Sequence, residues 1–149
     1  MTKDVLVATA NKLPHCSAEA AGEYAAKLDI LAAEINRIMG GRADLNELIG
    51  DGNQSMMEDN HRNHARFISS LIQDFSSQVL VETVLWVFRA YRNHGFRLTY
   101  WPAQLDTWVE VLRKELSPRA FAEIYPLYHW MIIYQPAFVS LSDELVGKG

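Results

Sequence analysis

Much of what would betray a function is missing from this chain. Cys16 is the only cysteine among 149 residues, so no internal disulfide can form and a reducing compartment is expected. Cys16 is read as a small side chain near a helix start rather than as a redox centre. No stretch approaches a membrane span, and the apolar run Val5-Leu6-Val7-Ala8 is too short for a signal-peptide core. The 14 basic residues lie scattered among 18 acidic ones, for a net charge of −4, and form no basic stripe of the kind a nucleic-acid binder carries. Also absent are a glycine-rich phosphate loop, a Gly-x-Ser-x-Gly elbow and a His-Glu-x-x-His pair. These absences point away from an enzyme, a nucleic-acid partner and a membrane. They leave a cytoplasmic, non-enzymatic domain as the expectation.

No segment alternates apolar with polar residues for long, so strand content is expected to be near zero; the pattern that is present is helical. Residues 1–16 read as a loosely ordered lead-in ended by Pro14. Ser17 can cap one long helix whose apolar positions run from Ala21 through Leu28, Leu31 and Ile35 to Met39, stopped by Gly40-Gly41. Asp44 with Glu47, and Ser55 with Glu58, have capping-box spacing before a short helix and a longer one. Ser76 or Ser77 opens a helix to His94 that is apolar nearly all round, as for a central element touched on several sides. Thr99 starts another, and Ser117-Pro118 places a cap before a proline at the first helical position. The last helix is expected to bend at Pro126 and Pro136. The expected fold is all-α: one domain spanning 1–149, a globin-like or orthogonal bundle of five to seven helices.

Three features could carry function. His61 and His64, three apart, share one helix face, and Glu58 with His61 makes an isolated Glu-x-x-His. A di-metal carboxylate bundle needs that motif twice, and no second copy is present, so no metal is expected. Both histidines can instead border the core and bond locally; the alternative is a small metal-dependent enzyme centred on Glu58, His61 and His64. His94 precedes Gly95 at a helix end, where an imidazole satisfies free carbonyls. Its sharper reading is haem ligation, with His64 or His94 as the axial group of a tetrapyrrole carrier. Finally, 13 of the 16 aromatic residues fall between Trp86 and Phe138, a density suited either to core stripes or to a pocket for a flat ligand. A pocket is expected between the Glu58–Phe75 and Ser77–His94 helices, lined by His61, His64, Trp86, Arg89, Tyr91 and Trp108.

The stretches Asn63-His64-Ala65-Arg66-Phe67, Trp86-Val87-Phe88-Arg89-Ala90-Tyr91, His94-Gly95-Phe96, Tyr100-Trp101-Pro102, Leu105, Trp108 and Tyr128-His129-Trp130-Met131 give the chain a family likeness. It resembles the globin-like helical sensor modules of bacterial signalling proteins, including RsbR-type domains that lack haem and helical modules attached to cobalamin-binding domains. The resemblance covers about half the chain. It implies a regulatory role, in which a small helical domain receives a signal and passes it to a protein partner in a signalling complex, as a homodimer. No cofactor is expected on this reading. Haem or another tetrapyrrole is the alternative.

Overall fold

The first helix begins almost at once. The Thr2 hydroxyl accepts from the Val5 amide at 3.2 Å and opens α1 (Lys3–Ala10), which buries Leu6 and Ala10 completely. The computed structural model describes residues 1–147, and side chains as far as Asp143. The expected loose lead-in is therefore corrected. The stripe of α1 is too short to stand out in sequence, and it becomes ordered by packing against the rest of the core.

Along the described residues α1 is followed by α2 (Ala18–Ala26), α3 (Leu28–Gly40), α4 (Leu45–Ile49), α5 (Gln54–Gln73), α6 (Ser77–Asn93), α7 (Tyr100–Glu115), α8 (Pro118–Ile133) and α9 (Gln135–Gly147), with no strand among them. The all-α expectation holds. The helices number nine rather than five to seven, because α1 was not foreseen and two expected rods are each divided. One break falls at Lys27, whose φ of −111° and ψ of 12° end α2, while its amine reaches the carbonyl of Glu115 at the end of α7. The other falls at Tyr134: α8 continues through Pro126, and Pro136 is accommodated in the first turn of α9, where its missing N–H costs no bond.

Two serines cap as their sequence context suggests, and with an addition that it conceals. Ser17 accepts from the Ala20 amide, and its own N–H and hydroxyl donate to Glu123 of α8 at 2.8 and 3.0 Å. Ser117 caps Ala120 in the same way and donates twice to Glu23 of α2, at 2.6 and 2.8 Å. Each helix thus supplies the carboxylate that completes the other's N-terminus, which fixes α2 alongside α8. Hydrogen bonds from Ser117 hold the Glu23 carboxyl below its ordinary range, and those from Ser17 do the same for Glu123. The two capping boxes proposed from spacing do not form. Asp44 is turned to Arg42, and α5 begins one residue before Ser55, behind Asn53. The Asn53 amide donates to the carbonyls of Ile49 and His94, at 2.7 and 2.8 Å, clamping the start of α5 to the end of α6. Gly50 and Gly95 meet at this clamp, both with positive φ (83° and 97°). A Cβ on Gly50 would lie 3.3 Å from the Gly95 carbonyl oxygen, so glycine is required there.

The packing closes a ring: α3 lies on α5, α5 on α2, α2 on α8, α8 on α7, and α7 back on α3. A second layer of α1, α6 and α9 covers one side, with α6 packed between α1 and α9. One core runs through both layers, from Leu6 to Leu141. The central position expected for α6 is corrected here. Leu80, Val81, Leu85 and Phe88 face inward, but Val79 and Trp86 are 47% and 57% exposed, so α6 lies in the outer layer with apolar residues on its free side. Although consecutive in the chain, α5 and α6 do not pack along one another.

Because Leu6 is fully buried, Leu6→Ala is expected to destabilise the whole domain by about 2–4 kcal/mol. Urea unfolding should show a lower midpoint at unchanged slope. An unaltered midpoint would mean that α1 is not docked.

Candidate functional site

The face of α5 turned toward the ring carries Asn60, His61 and His64, three polar residues where a helix of this burial would ordinarily carry aliphatics. Each is satisfied by an aromatic or amide side chain from a neighbouring helix. His61 is fully buried; its Nδ1 lies 2.6 Å from Asn36 Oδ1 of α3, and its Nε2 lies 3.1 Å from the Tyr100 hydroxyl of α7. Because the Asn36 oxygen can only accept, Nδ1 carries the His61 proton and Nε2 is the acceptor. The Tyr100 hydroxyl is also 2.9 Å from Asn60 Oδ1, which accepts from Gln104 Nε2 at 3.1 Å. Its single proton serves His61 or Asn60, and the Gln104 amide keeps Asn60 satisfied in either case.

His64 heads a second chain. Its Nε2 is 2.8 Å from the Tyr128 hydroxyl of α8, which is 2.9 Å from the Tyr24 hydroxyl of α2. Trp108 stacks on the His64 ring at a centroid distance of 4.6 Å and meets the His61 ring edge-on at 6.1 Å. Burial holds both imidazoles far below the ordinary histidine range, at about 3. For His61 the nearby His64 and Arg62 add to the effect. Burial likewise pushes the Tyr24 and Tyr128 hydroxyls up, so all four groups are neutral in the folded chain at neutral pH.

Beside His64 the two layers separate around a cavity of about 310 Å³. Its walls come from α5 (Asn60, Asn63, His64, Phe67, Ile68), α6 (Thr83, Val84, Trp86, Val87, Phe88, Tyr91) and α7 (Trp101, Gln104, Leu105), with Met131 of α8 and Phe138 of α9 at the far side. No lysine, arginine, aspartate or glutamate lines it. Trp86, more than half exposed, stands where the cavity meets solvent.

Of the residues predicted to line a pocket between these helices, the structure brings His64, Trp86 and Tyr91 to the cavity. His61 points instead to α3 and α7, Trp108 packs against the back of the two histidines, and Arg89 does not border the cavity. His94 caps α6 on the exposed surface and lines no part of the cavity, so of the two histidines only His64 borders it. Glu58 does not join the histidines: among the described residues no three carboxylate, imidazole or thiol side chains converge as a metal site would require. Cys16 is half-buried, its thiol raised by burial and then by Glu123, with its S–H directed to the Glu123 carbonyl at 3.5 Å.

Sequence reasoning missed Asn60 and Gln104, and it left Trp101 and Leu105 out of the predicted pocket lining. A signal was available for two of the missed wall residues: Asn60 and Ile68 lie four residues either side of His64, on the same helix face. Nothing local marks Phe138 or Met131, which arrive from helices far along the chain. No described helix is long and apolar enough to cross a membrane. Compared with protein families, curated proteins and solved structures, the chain matches none. Its functional reading rests on the cavity and its walls.

The neutral histidines make stability depend on pH. The unfolded chain takes up a proton on each near pH 6.5, whereas the folded chain resists until about pH 3. The unfolded state therefore binds more protons in that interval, and stability falls as pH drops below 6.5, by up to about 1.4 kcal/mol per pH unit for each histidine. Depressed carboxylates such as Glu34, held to about 2 by hydrogen bonds from Arg37 and Lys114, add their loss only below about pH 4.5. Urea midpoints measured from pH 6.5 to 5 should fall, and His64→Gln should reduce that slope by roughly one proton's worth. A slope identical in the variant would show that His64 is not held neutral by the fold.

Proposed function

We propose that this chain is a non-enzymatic sensor or regulatory domain of globin-like kind. A small neutral molecule occupies the cavity between α5 and α6, and protein contacts report its presence. The single observation that carries this reading is the cavity itself. It lies between two otherwise well-packed layers, has the size of a small ligand site, and has apolar walls with a few convergent polar groups. An ionised ligand finds no countercharge on those walls, so the occupant is uncharged. The mouth lies on the outer layer, where Val79 and Trp86, seven residues apart on α6, share one exposed face. Occupancy is thus placed beside an apolar surface suited to a second protein, and we propose a homodimer built there as the reporting assembly. The tetrapyrrole alternative would rest on His64 alone, since His94 lies elsewhere.

Tetralin, a neutral bicyclic hydrocarbon, serves as the probe. At about 100 times its dissociation constant it should stabilise the fold by about 2.7 kcal/mol, or roughly 5–10 °C in Tm. It should also change the tryptophan fluorescence, since Trp86 and Trp101 line the site. Leu105→Trp, which fills the cavity, should keep the fold and lose the tetralin response; Ile68→Phe is the second filling variant. A folded filling variant that still responds as the wild type does would overturn the site. A Soret band on haemin addition that disappears in His64→Ala would replace this reading with the tetrapyrrole one. Light scattering should give a dimer mass at micromolar concentration that Trp86→Asp converts to monomer. A monomeric wild type would remove the homodimer.

A further inference from the structure

Two wall residues touch one another, and each has half of its amide to spare. Asn60 of α5 and Gln104 of α7 both border the cavity. Gln104 Nε2 donates to Asn60 Oδ1 at 3.1 Å, and the same oxygen lies 2.9 Å from the Tyr100 hydroxyl. A primary amide carries a donor nitrogen and an acceptor oxygen, so this pairing leaves Asn60 Nδ2 and Gln104 Oε1 unused. Among the described residues neither of those atoms makes a hydrogen bond. A half-turn of both amides together also keeps the bond between them, with Tyr100 then donating to His61. That exchange reverses the two spare atoms and leaves their number unchanged: one donor and one acceptor, on side chains in contact.

Both residues are almost enclosed, at 5% and 2% exposed, yet their spare atoms are not sealed in. Among the described residues the fully buried side-chain polar atoms without a partner are nitrogens of Trp101, Trp108 and Gln135. Asn60 Nδ2 and Gln104 Oε1 are not of their number, so each keeps open surface, and the cavity is the space that both residues border. Tyr91, on the α6 side of the cavity, marks the direction of the Asn60 amide. Burial pushes the Tyr91 hydroxyl up, and the Asn60 amide offsets part of that rise. The Trp101 indole, by contrast, is closed off and plays no part in recognition.

We infer that the occupant is a neutral amide, a lactam of about two fused rings, held by the paired Asn60 and Gln104 side chains. Its N–H donates to one of them and its carbonyl oxygen accepts from the other. The spare edge offers a donor and an acceptor on separate atoms, which is the complement of another amide. The ring count follows from volume, since an apolar cavity of about 150 Å³ holds benzene and this one is about twice that size. Aromatic walls such as Phe67, Phe88 and Phe138 suit flat rings. Discrimination comes from what the site withholds. A hydrocarbon leaves both spare atoms unmet, a ketone meets only the donor, and a carboxylate or an ammonium finds no countercharge.

This inference rests on the cavity being a ligand site, and the test separates the two. Binding of dihydrocarbostyril, a lactam with the two-ring shape of tetralin, and of tetralin itself is measured by calorimetry on the full chain. The quantity read is the ratio of their affinities, so that differences in water solubility cancel between proteins. Gln104→Leu removes one half of the pair and leaves Asn60 beside Tyr100. It should lower the lactam-to-tetralin ratio by about 3- to 10-fold while tetralin still binds. In the wild type the infrared N–H and carbonyl stretches of bound lactam should both lie below their values in dilute cyclohexane. If tetralin binds, a ratio unchanged in Gln104→Leu, stretches at their cyclohexane values, or a lactam that does not bind each shows that the amide assignment is wrong and that the apolar site stands. Absence of binding by both probes overturns the site and this inference together. Should Gln104→Leu fail to fold, Gln104→Met takes its place, and the infrared shifts decide without any variant.

Discussion

The fold depends on keeping polar residues of α5 satisfied inside a helical ring. Asn60 and His61 are buried and His64 is half-buried beside the cavity, so each needs a neutral partner at hydrogen-bond distance. Those partners come from α3, α7 and α8, and α2 joins them at one remove through Tyr24, which bonds Tyr128; together these are the other members of the ring. The hydrogen bonds therefore fix the register of four helices around the fifth. Aliphatic residues could fill the same volume, but sliding past one another would cost them little. Asn36, Tyr100 and Tyr128 cannot slide without orphaning a buried group.

The same constraint shapes the cavity. His64 is tied by Nε2 to Tyr128 and stacked on Trp108, which holds its ring at the edge of the ring of helices rather than across to α6. The clamp of Asn53 onto the His94 carbonyl joins the start of α5 to the end of α6, and the two helices separate along the rest of their length. The outer layer is held by other means. The Arg92–Asp143 pair joins α6 to α9, Lys3 reaches Glu82, and the Trp130 indole donates to Thr9 at 2.9 Å. The interior is thus rigid on one side of the cavity. On the other side it is closed by α6, which carries exposed apolar residues at the mouth. On the proposed function, a molecule entering there would contact both layers, and the position of α6 relative to the ring is the coordinate that its occupancy would bias.

How much of this could be read beforehand varies with the range of the interaction responsible. The serine caps at Ser17, Ser76 and Ser117 are visible in sequence because a cap is decided within four residues. The false capping boxes at Asp44 and Ser55 have the same spacing, but Arg42 and the Asn53 clamp compete for the turn. The break at Lys27 leaves no local trace, because the apolar stripe continues through it; the cause is the distant end of α7, where the lysine amine caps a carbonyl. For the site, helical spacing brings His64 together with Trp86 and Tyr91 on facing helices. The side of α5 that His61 faces depends on whether α3 or α6 lies there, and periodicity cannot say which.

By itself the sequence determined the helical class and most helix boundaries. These follow from local propensity and from the spacing of apolar residues, which act within a few positions of one another. Tertiary structure alone decided that α5 and α6 stand apart, that His94 remains on the surface, and that Trp101 and Phe138 meet His64 around one space. Each of those outcomes depends on which distant helix satisfies a buried polar group. That choice is made by three-dimensional packing among many segments and leaves no periodic mark in any one of them.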